Sequence, residues 1–206
     1  MEDYKTIEGG VTAEIEEKKS RFIASLCHVE SEAEALAFLD KIRAQHRTAR
    51  HNVYAYRLRE ENRERYSDDG EPAKTAGTPA LEVLRHSGVT DIIVVITRYF
   101  GGTLLGTGGL VRAYQGATQA ALAVADICTV RSLVQLEVHV DYALYERICL
   151  LVEQAGGKMA VPQFAENVFL SWQMPEGTEQ TILNDLTALT RGSAMVSVSA
   201  PYYAPF

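Results

Sequence analysis

Cysteine is scarce in this 206-residue sequence, and its placement excludes two chemistries. Cys27, Cys128 and Cys149 form no C-x-x-C pair and have no histidine at ligand spacing, so neither a zinc site nor a disulfide framework is expected. A reducing cytoplasm is the expected compartment. Long apolar runs are missing too. The strongest, Ile92 to Ile96 and Ile148 to Val152, fall well short of the roughly 20 residues that cross a bilayer. The first residues carry Glu2, Asp3, Glu8, Glu14, Glu16 and Glu17 instead of the apolar core of a signal peptide, so no membrane partner is expected. Nor is there a surplus of positive charge. With 20 basic and 27 acidic residues the formal charge is -7, which excludes an indiscriminate polyanion binder and requires any nucleic-acid surface to be local. Internal repeats, low-complexity tracts and a Pro- or Gly-rich linker are also absent.

What remains is an ordinary globular composition, 47% hydrophobic and 23% charged, in a chain long enough for one domain or two small ones. Val11, Ala13 and Ile15 alternate with polar residues ahead of a second extended run, Ser20 to Leu26, and predict an opening hairpin. Ser31 and Glu34 form a capping box before a helix whose Leu36, Leu39 and Ile42 share a face and which ends near His46. His51 to Leu58 predicts a strand, and the polar stretch Arg59 to Thr75 a long surface loop. Thr78 as N-cap, Pro79 and Gly88 delimit a second helix. The unbroken run Ile92 to Ile96 predicts a strand buried on both faces. A third helix follows the glycines, with Leu110, Ala113, Tyr114, Ala117, Ala121 and Val124 along one stripe.

The pattern changes near Ser132. Val134, Leu136, Val138 and Val140 alternate with polar residues, and a helix starting at Asp141 carries Leu144, Ile148, Leu151 and Val152. Two short strands follow, around Met159 to Phe164 and Val168 to Trp172, then a helix from about Thr178 to Thr190 and a strand with Val196 and Val198. This βαββαβ order is that of the ferredoxin-like, split βαβ unit. The expected organisation is therefore α/β (α+β), with an α/β domain over residues 1–131 and a ferredoxin-like domain over 132–206. Net charge divides unevenly between them, -2 and -5.

Three constellations can carry chemistry. Arg98 and Arg112 flank a Gly-rich strand-to-helix turn containing Gly101, Gly102, Gly106, Gly108 and Gly109. Such a turn can aim backbone N–H groups and a helix dipole at one anion; equally, its glycines can serve positive φ and close packing. It lacks both the Gly-Lys-Ser/Thr of a P-loop and the third small residue of the dinucleotide fingerprint. The second constellation is Asp68, Asp69 and Glu71 around Gly70, which can hold a hard cation, pair with arginines, or simply cap a turn. The third is residues 41–65, a local +5 interleaved with His46, His51, Tyr54 and Tyr56. Basic groups among aromatics suit phosphate contact and base stacking, although period-2 tyrosines also suit core packing. No nucleophile with an identifiable base stands near these carboxylates, so no catalytic residue is assigned, and no cofactor or metal is expected.

Ser20-Arg21-Phe22-Ile23-Ala24, His51-Asn52-Val53-Tyr54-Ala55-Tyr56, Ser67-Asp68-Asp69-Gly70-Glu71-Pro72, Thr75-Ala76-Gly77-Thr78-Pro79 and Thr97-Arg98-Tyr99-Phe100-Gly101-Gly102 through Leu110-Val111-Arg112-Ala113-Tyr114 together resemble the IMPACT family in its bacterial YigZ-like form. The resemblance runs in order over about residues 15–125. It implies, for the first domain, the α/β fold shared by a ribosomal-protein second domain, domain IV of the translocating elongation factor and the GHMP group of small-molecule kinases. For the second it implies a likeness to domain V of elongation factor G. It further implies a non-catalytic, translation-associated protein that contacts RNA or the ribosome, with His51, Asp68, Asp69, Glu71, Arg98 and residues 101–109 on the contact surface. Eukaryotic members are linked to translational control, but through an additional N-terminal interaction domain. The alternatives are a nucleotide- or phosphate-binding enzyme on the GHMP kinase fold, and a protein-docking module using the acidic second domain.

Overall fold

Ile92 to Ile96 lacks polar alternation because its residues feed two cores at once. A computed structural model describes residues 2–206. In it, strand β6 (Ile92–Tyr99) is the centre of a five-stranded antiparallel sheet ordered β2-β3-β6-β4-β5, formed with β2 (Gly10–Glu17), β3 (Ser20–His28), β4 (His51–Leu58) and β5 (Arg63–Ser67). One face of β6 presents Ile92, Val94 and Ile96 to a core with Phe22, Leu26, Val53 and Ala55, covered by Leu81 and Leu84 of α2 (Gly77–Ser87) and Leu110, Ala113, Tyr114 and Ala117 of α3 (Thr107–Ala123). The other face presents Ile93 and Val95 to Tyr56, Leu58 and to Ala35, Leu39 and Ile42 of α1 (Glu32–Gln45). Strand β1 (Tyr4–Ile7) is tied in through Thr90, whose N–H donates to the Lys5 carbonyl at 2.9 Å. These elements lie in one compact unit, residues 4–129; the other comprises residues 130–206 with residues 2–3. The division falls inside a single strand, β7 (Ile127–Val140), so no linker composition marks it.

The second unit has the expected βαββαβ order. Strand β7 pairs with β10 (Val168–Pro175), which pairs with β8 (Lys158–Met159), while β11 (Val196–Val198) lies on the other side of β7; all are antiparallel. Helices α4 (Tyr142–Gln154) and α5 (Glu179–Thr190) cover the face formed by Val134, Leu136, Val138, Leu170, Trp172 and Met174. The first of the two short strands is itself split, since β8 and β9 (Gln163–Phe164) each pair only briefly with β10. A further strand, β12 (Tyr202–Pro205), pairs with the first half of β7. Among the described residues no helix is long and apolar enough to cross a membrane.

Several local expectations are corrected. The stretch from Arg59 to Thr75 is not all loop, because Arg63–Ser67 forms the edge strand β5. Its polar composition reflects ion pairing: Glu64 receives Arg57 at 2.8 Å and Arg85 at 2.5 Å, and Arg63 reaches Glu32 at 2.6 Å. Thr78 is not the N-cap of α2. Ala76 is, and the missing side-chain acceptor is supplied by Asp68, whose Oδ1 accepts from the N–H groups of Ala76 and Gly77 at 3.0 and 2.8 Å. In α1, Ser31 caps Glu34 as expected, but Glu34 reaches back to the N–H of Glu30 at 2.8 Å, and Leu36 is exposed while Ala35 takes the buried place. Val124 falls just beyond α3 and is exposed.

Candidate functional site

The Gly-rich segment leaves β6 and enters α3 through two backbone requirements that only glycine meets easily. At Gly101 a Cβ would lie 2.0 Å from the carbonyl carbon of Lys19, so the segment is pressed against the β2–β3 turn, and the Gly101 N–H donates to Ser20 Oγ at 3.1 Å. At Gly106, the N-cap of α3, φ is +72°. The first α3 hydrogen bond runs from Leu110 N–H to the Gly106 carbonyl at 2.9 Å. The N–H groups of Thr107, Gly108 and Gly109 therefore open the helix with no backbone acceptor, and the helix dipole adds partial positive charge there. Gly102 lies in the exposed part of the segment, and Gly109 packs on Leu105.

Arg98 is the centre of the site. It stands on β6 directly across from His51 of β4 on one side and Phe22 of β3 on the other. It is 7% exposed, and a charge so buried is tolerated only when paired. Nη1 donates to Glu71 Oε1 at 2.6 Å, and Tyr114 of α3 donates to the same oxygen at 2.8 Å. The guanidinium lies 5.4 Å from the Phe22 ring centroid and 5.7 Å from that of Phe100, distances at which cation–π attraction contributes. Burial, reinforced by the Glu71 carboxylate, pushes the Tyr114 phenol far above its ordinary range, so it acts as a neutral donor. Arg98 Nε is buried and has no hydrogen-bond partner among the described residues.

The acidic cluster does not converge on a common point. Asp68 is engaged by backbone N–H groups, including that of Lys74 at 2.8 Å, which makes it the structural cap of the turn and of α2. Asp69 accepts from the Asn52 N–H at 2.6 Å and pairs with Arg43 at 3.4 Å. Glu71 alone enters the site. Among the described residues no group of three or more His, Cys, Asp or Glu side chains is placed to hold a metal ion. Glu71 pairs with Arg98 and Asp69 with Arg43, while Asp68 serves the fold.

These elements enclose a cavity of about 840 Å³ lined by Arg50, His51, Glu71, Arg98, Phe100, Leu104 and Thr107, among others. His51 is oriented by its own strand end. Its Nδ1 lies 2.8 Å from the Asp69 carbonyl, which can only accept, so Nδ1 carries the hydrogen and Nε2 is left for other partners. Of the residues singled out in the sequence, His51, Glu71, Arg98 and Gly106 line the cavity. Gly101, Gly102, Gly108 and Gly109 shape its loop, whereas Arg112 is exposed on α3 and lies outside the lining, with its Nη1 3.6 Å from where a Cβ on Gly108 would sit.

The basic segment is partly neutralised, since Arg43, Arg57, Arg59 and Arg63 are ion-paired. Arg57, Arg59 and Arg63 pair with Glu64, Asp91 and Glu32, and Tyr54 and Tyr56 pack at the α1 core. It contributes Thr48, Arg50 and His51 to the cavity, and of these Arg50 is a cation with no ion pair among the described residues. Sequence reasoning did not single out Arg50 within its segment, nor Tyr114, Phe100 and Leu104 as site residues. Tyr114 fits the apolar stripe of α3, and nothing in its spacing announces that its hydroxyl meets Glu71.

A five-stranded antiparallel sheet with a cavity at one end, followed by a βαββαβ unit, defines a mixed α+β protein of two units with the candidate site in the first. The model described as the Impact N-terminal domain matches residues 18–122, and that of a domain of unknown function (DUF1949) matches residues 138–193. An IMPACT family member from Haemophilus influenzae is 36% identical over 203 residues, covering 96% of this chain and 98% of its own length. The IMPACT family member YigZ of Escherichia coli is 37% identical over 196 residues, with 94% and 96% covered. A crystal structure of a hypothetical protein with 36% identity superimposes with a TM-score of 0.62, covering 95% of this chain and 97% of that one. The chain belongs to the IMPACT family.

Proposed function

We propose that this protein is a non-catalytic, cytoplasmic RNA-binding protein that contacts RNA or the ribosome through the Arg98 cavity and thereby modulates translation. The observation that carries this reading is the meeting, in one cavity, of the start of α3 at Gly106 and Thr107, of Arg50, which has no ion pair among the described residues, and of the Arg98 guanidinium. Each favours an anionic oxygen, and together they surround space enough for one. The family's resemblance to translation-factor and ribosomal-protein domains supports RNA as the source of that anion. The overall charge of -7 confines the contact to this patch. Binding to ribosomes or a structured RNA, followed by co-sedimentation or anisotropy, is expected to weaken as salt rises, and Arg50→Ala to weaken it and reduce the log–log salt slope by about 1 or less. Binding indifferent to salt and to Arg50→Ala overturns the reading.

A second reading, a nucleotide- or phosphate-binding enzyme on the GHMP kinase fold, is favoured by the cavity volume of about 840 Å³, within the range of small-molecule sites. Against it stands the separate engagement of Asp68, Asp69 and Glu71, which leaves no shared carboxylate site for a magnesium–phosphate group. Thermal shift with nucleotides and magnesium decides: no stabilisation at millimolar ligand removes this reading.

A further inference from the structure

Beside the cavity's polar groups stand apolar side chains that phosphate binding does not use. Phe100 is 55% exposed and Leu104 is 82% exposed, both on the segment between β6 and α3, and Leu105, Leu110 and Pro72 also line the cavity. Large apolar side chains held in water at the mouth of a charged cavity are costly unless something covers them. The Arg98 guanidinium, 5.7 Å from the Phe100 centroid, holds that ring at the edge of the site while more than half of the residue stays open.

We infer that the cavity takes an unpaired nucleotide of single-stranded RNA, its base stacked on Phe100 and its phosphate at the start of α3 and Arg50. This deepens the RNA reading above and rests on it. A planar base has a π-face that stacks on an aromatic ring whatever its identity. In a duplex those faces are covered by neighbouring bases, and recognition falls back on grooves and phosphates. This protein is poorly equipped for the duplex route: Arg50 is the one arginine lining the cavity without a carboxylate partner among the described residues, and most arginines of residues 41–65 are tied into ion pairs. The cavity thus offers one phosphate's worth of charge and one base's worth of apolar surface.

The test compares a short fluorescent oligouridine with an RNA duplex of the same strand length, by anisotropy at low salt, using the full chain. The single strand is expected to bind about tenfold tighter or more. Phe100→Ala is expected to abolish most of that preference with an unchanged salt slope, and Phe100→Trp to retain it, with indole emission quenched as oligouridine is added. Equal affinity for the two RNAs, or a preference that survives Phe100→Ala, overturns the stacking assignment while leaving RNA binding intact. No binding of either RNA removes the RNA reading and this inference with it.

Discussion

Glu71 lies 2.6 Å from Arg98, and the two side chains are only 4% and 8% exposed, so each is the reason the other can be buried. The carboxylate comes from an irregular turn and the guanidinium from the central strand, and their contact draws that turn onto the sheet end where the cavity forms. The same Glu71 oxygen receives Tyr114 from α3, which joins three segments at a single atom.

Removing one partner strands the other. Glu71→Ala is expected to cost about 3–5 kcal/mol, because it leaves an uncompensated buried charge. Glu71→Gln costs less, since its amide oxygen still accepts from Arg98 and Tyr114. The double variant Glu71→Leu with Arg98→Met is expected to be less destabilised than Glu71→Ala. Urea denaturation midpoints of the four proteins check this ordering, and a double variant as unstable as Glu71→Ala contradicts it.

Gly101 and Gly102 separate crowding from conformation. Gly101→Ala drives a Cβ into the Lys19 backbone, which cannot swing aside as a flexible side chain would, and is expected to cost about 3 kcal/mol, the upper end for overpacking. Gly102 has φ +87° and open space around it, so Gly102→Ala is expected to cost about 1–2 kcal/mol from the left-handed backbone alone. Thermal unfolding distinguishes them, and equal losses would show that packing against the β2–β3 turn contributes nothing.

Asp68 holds three backbone N–H groups, those of Lys74, Ala76 and Gly77. Asp68→Ala is expected to lose about 2 kcal/mol or more, and Asp68→Asn less, because one oxygen remains to accept. Hydrogen exchange gives the local signature: protection at Ala76 and Gly77 falls in Asp68→Ala ahead of the rest of α2.

Arg85 first, then Arg57, hold the Glu64 carboxyl below the usual carboxylate range, and its side chain is 21% exposed. A carboxylate depressed in the folded state stabilises fully above its unfolded value, about 4.3, and loses that contribution as pH falls through the folded value. Glu64→Gln is therefore expected to lower the melting temperature at neutral pH and to flatten its decline as pH falls below about 5. Parallel melting curves for the two proteins across that window would rule this out.

The second unit and the central strand of the first were legible because burial follows period: Val134, Leu136, Val138 and Val140 alternate, and Ile92 to Ile96 do not. Strand β5 was hidden because its residues are ionic, their partners lying on α1 and α2. The α2 cap was misplaced because its acceptor sits at Asp68, eight and nine residues before the amides it serves. The candidate site was legible in some of its residues and not in its pairings. Arg98, Glu71 and His51 stood in quoted motifs, yet the roles of Glu71 against Arg98, 27 positions apart, and of Tyr114, 43 from Glu71, are decided only when sheet and helix pack.

The margins of the five-stranded sheet bear on how the protein behaves in a crowded solution. The outer strand β5 carries Arg63, Glu64 and Arg65, and the opposite one, β2, carries Glu14, Glu16 and Glu17, all but Arg63 and Glu64 well exposed. An extended segment from another molecule that sought the open backbone of either strand would have to desolvate these charges or break Arg57–Glu64–Arg85 and Arg21–Glu14. The sheet therefore resists growth by recruitment of a sixth strand, and self-association into fibrillar aggregates is discouraged by the same ion pairs that made β5 look like a loop.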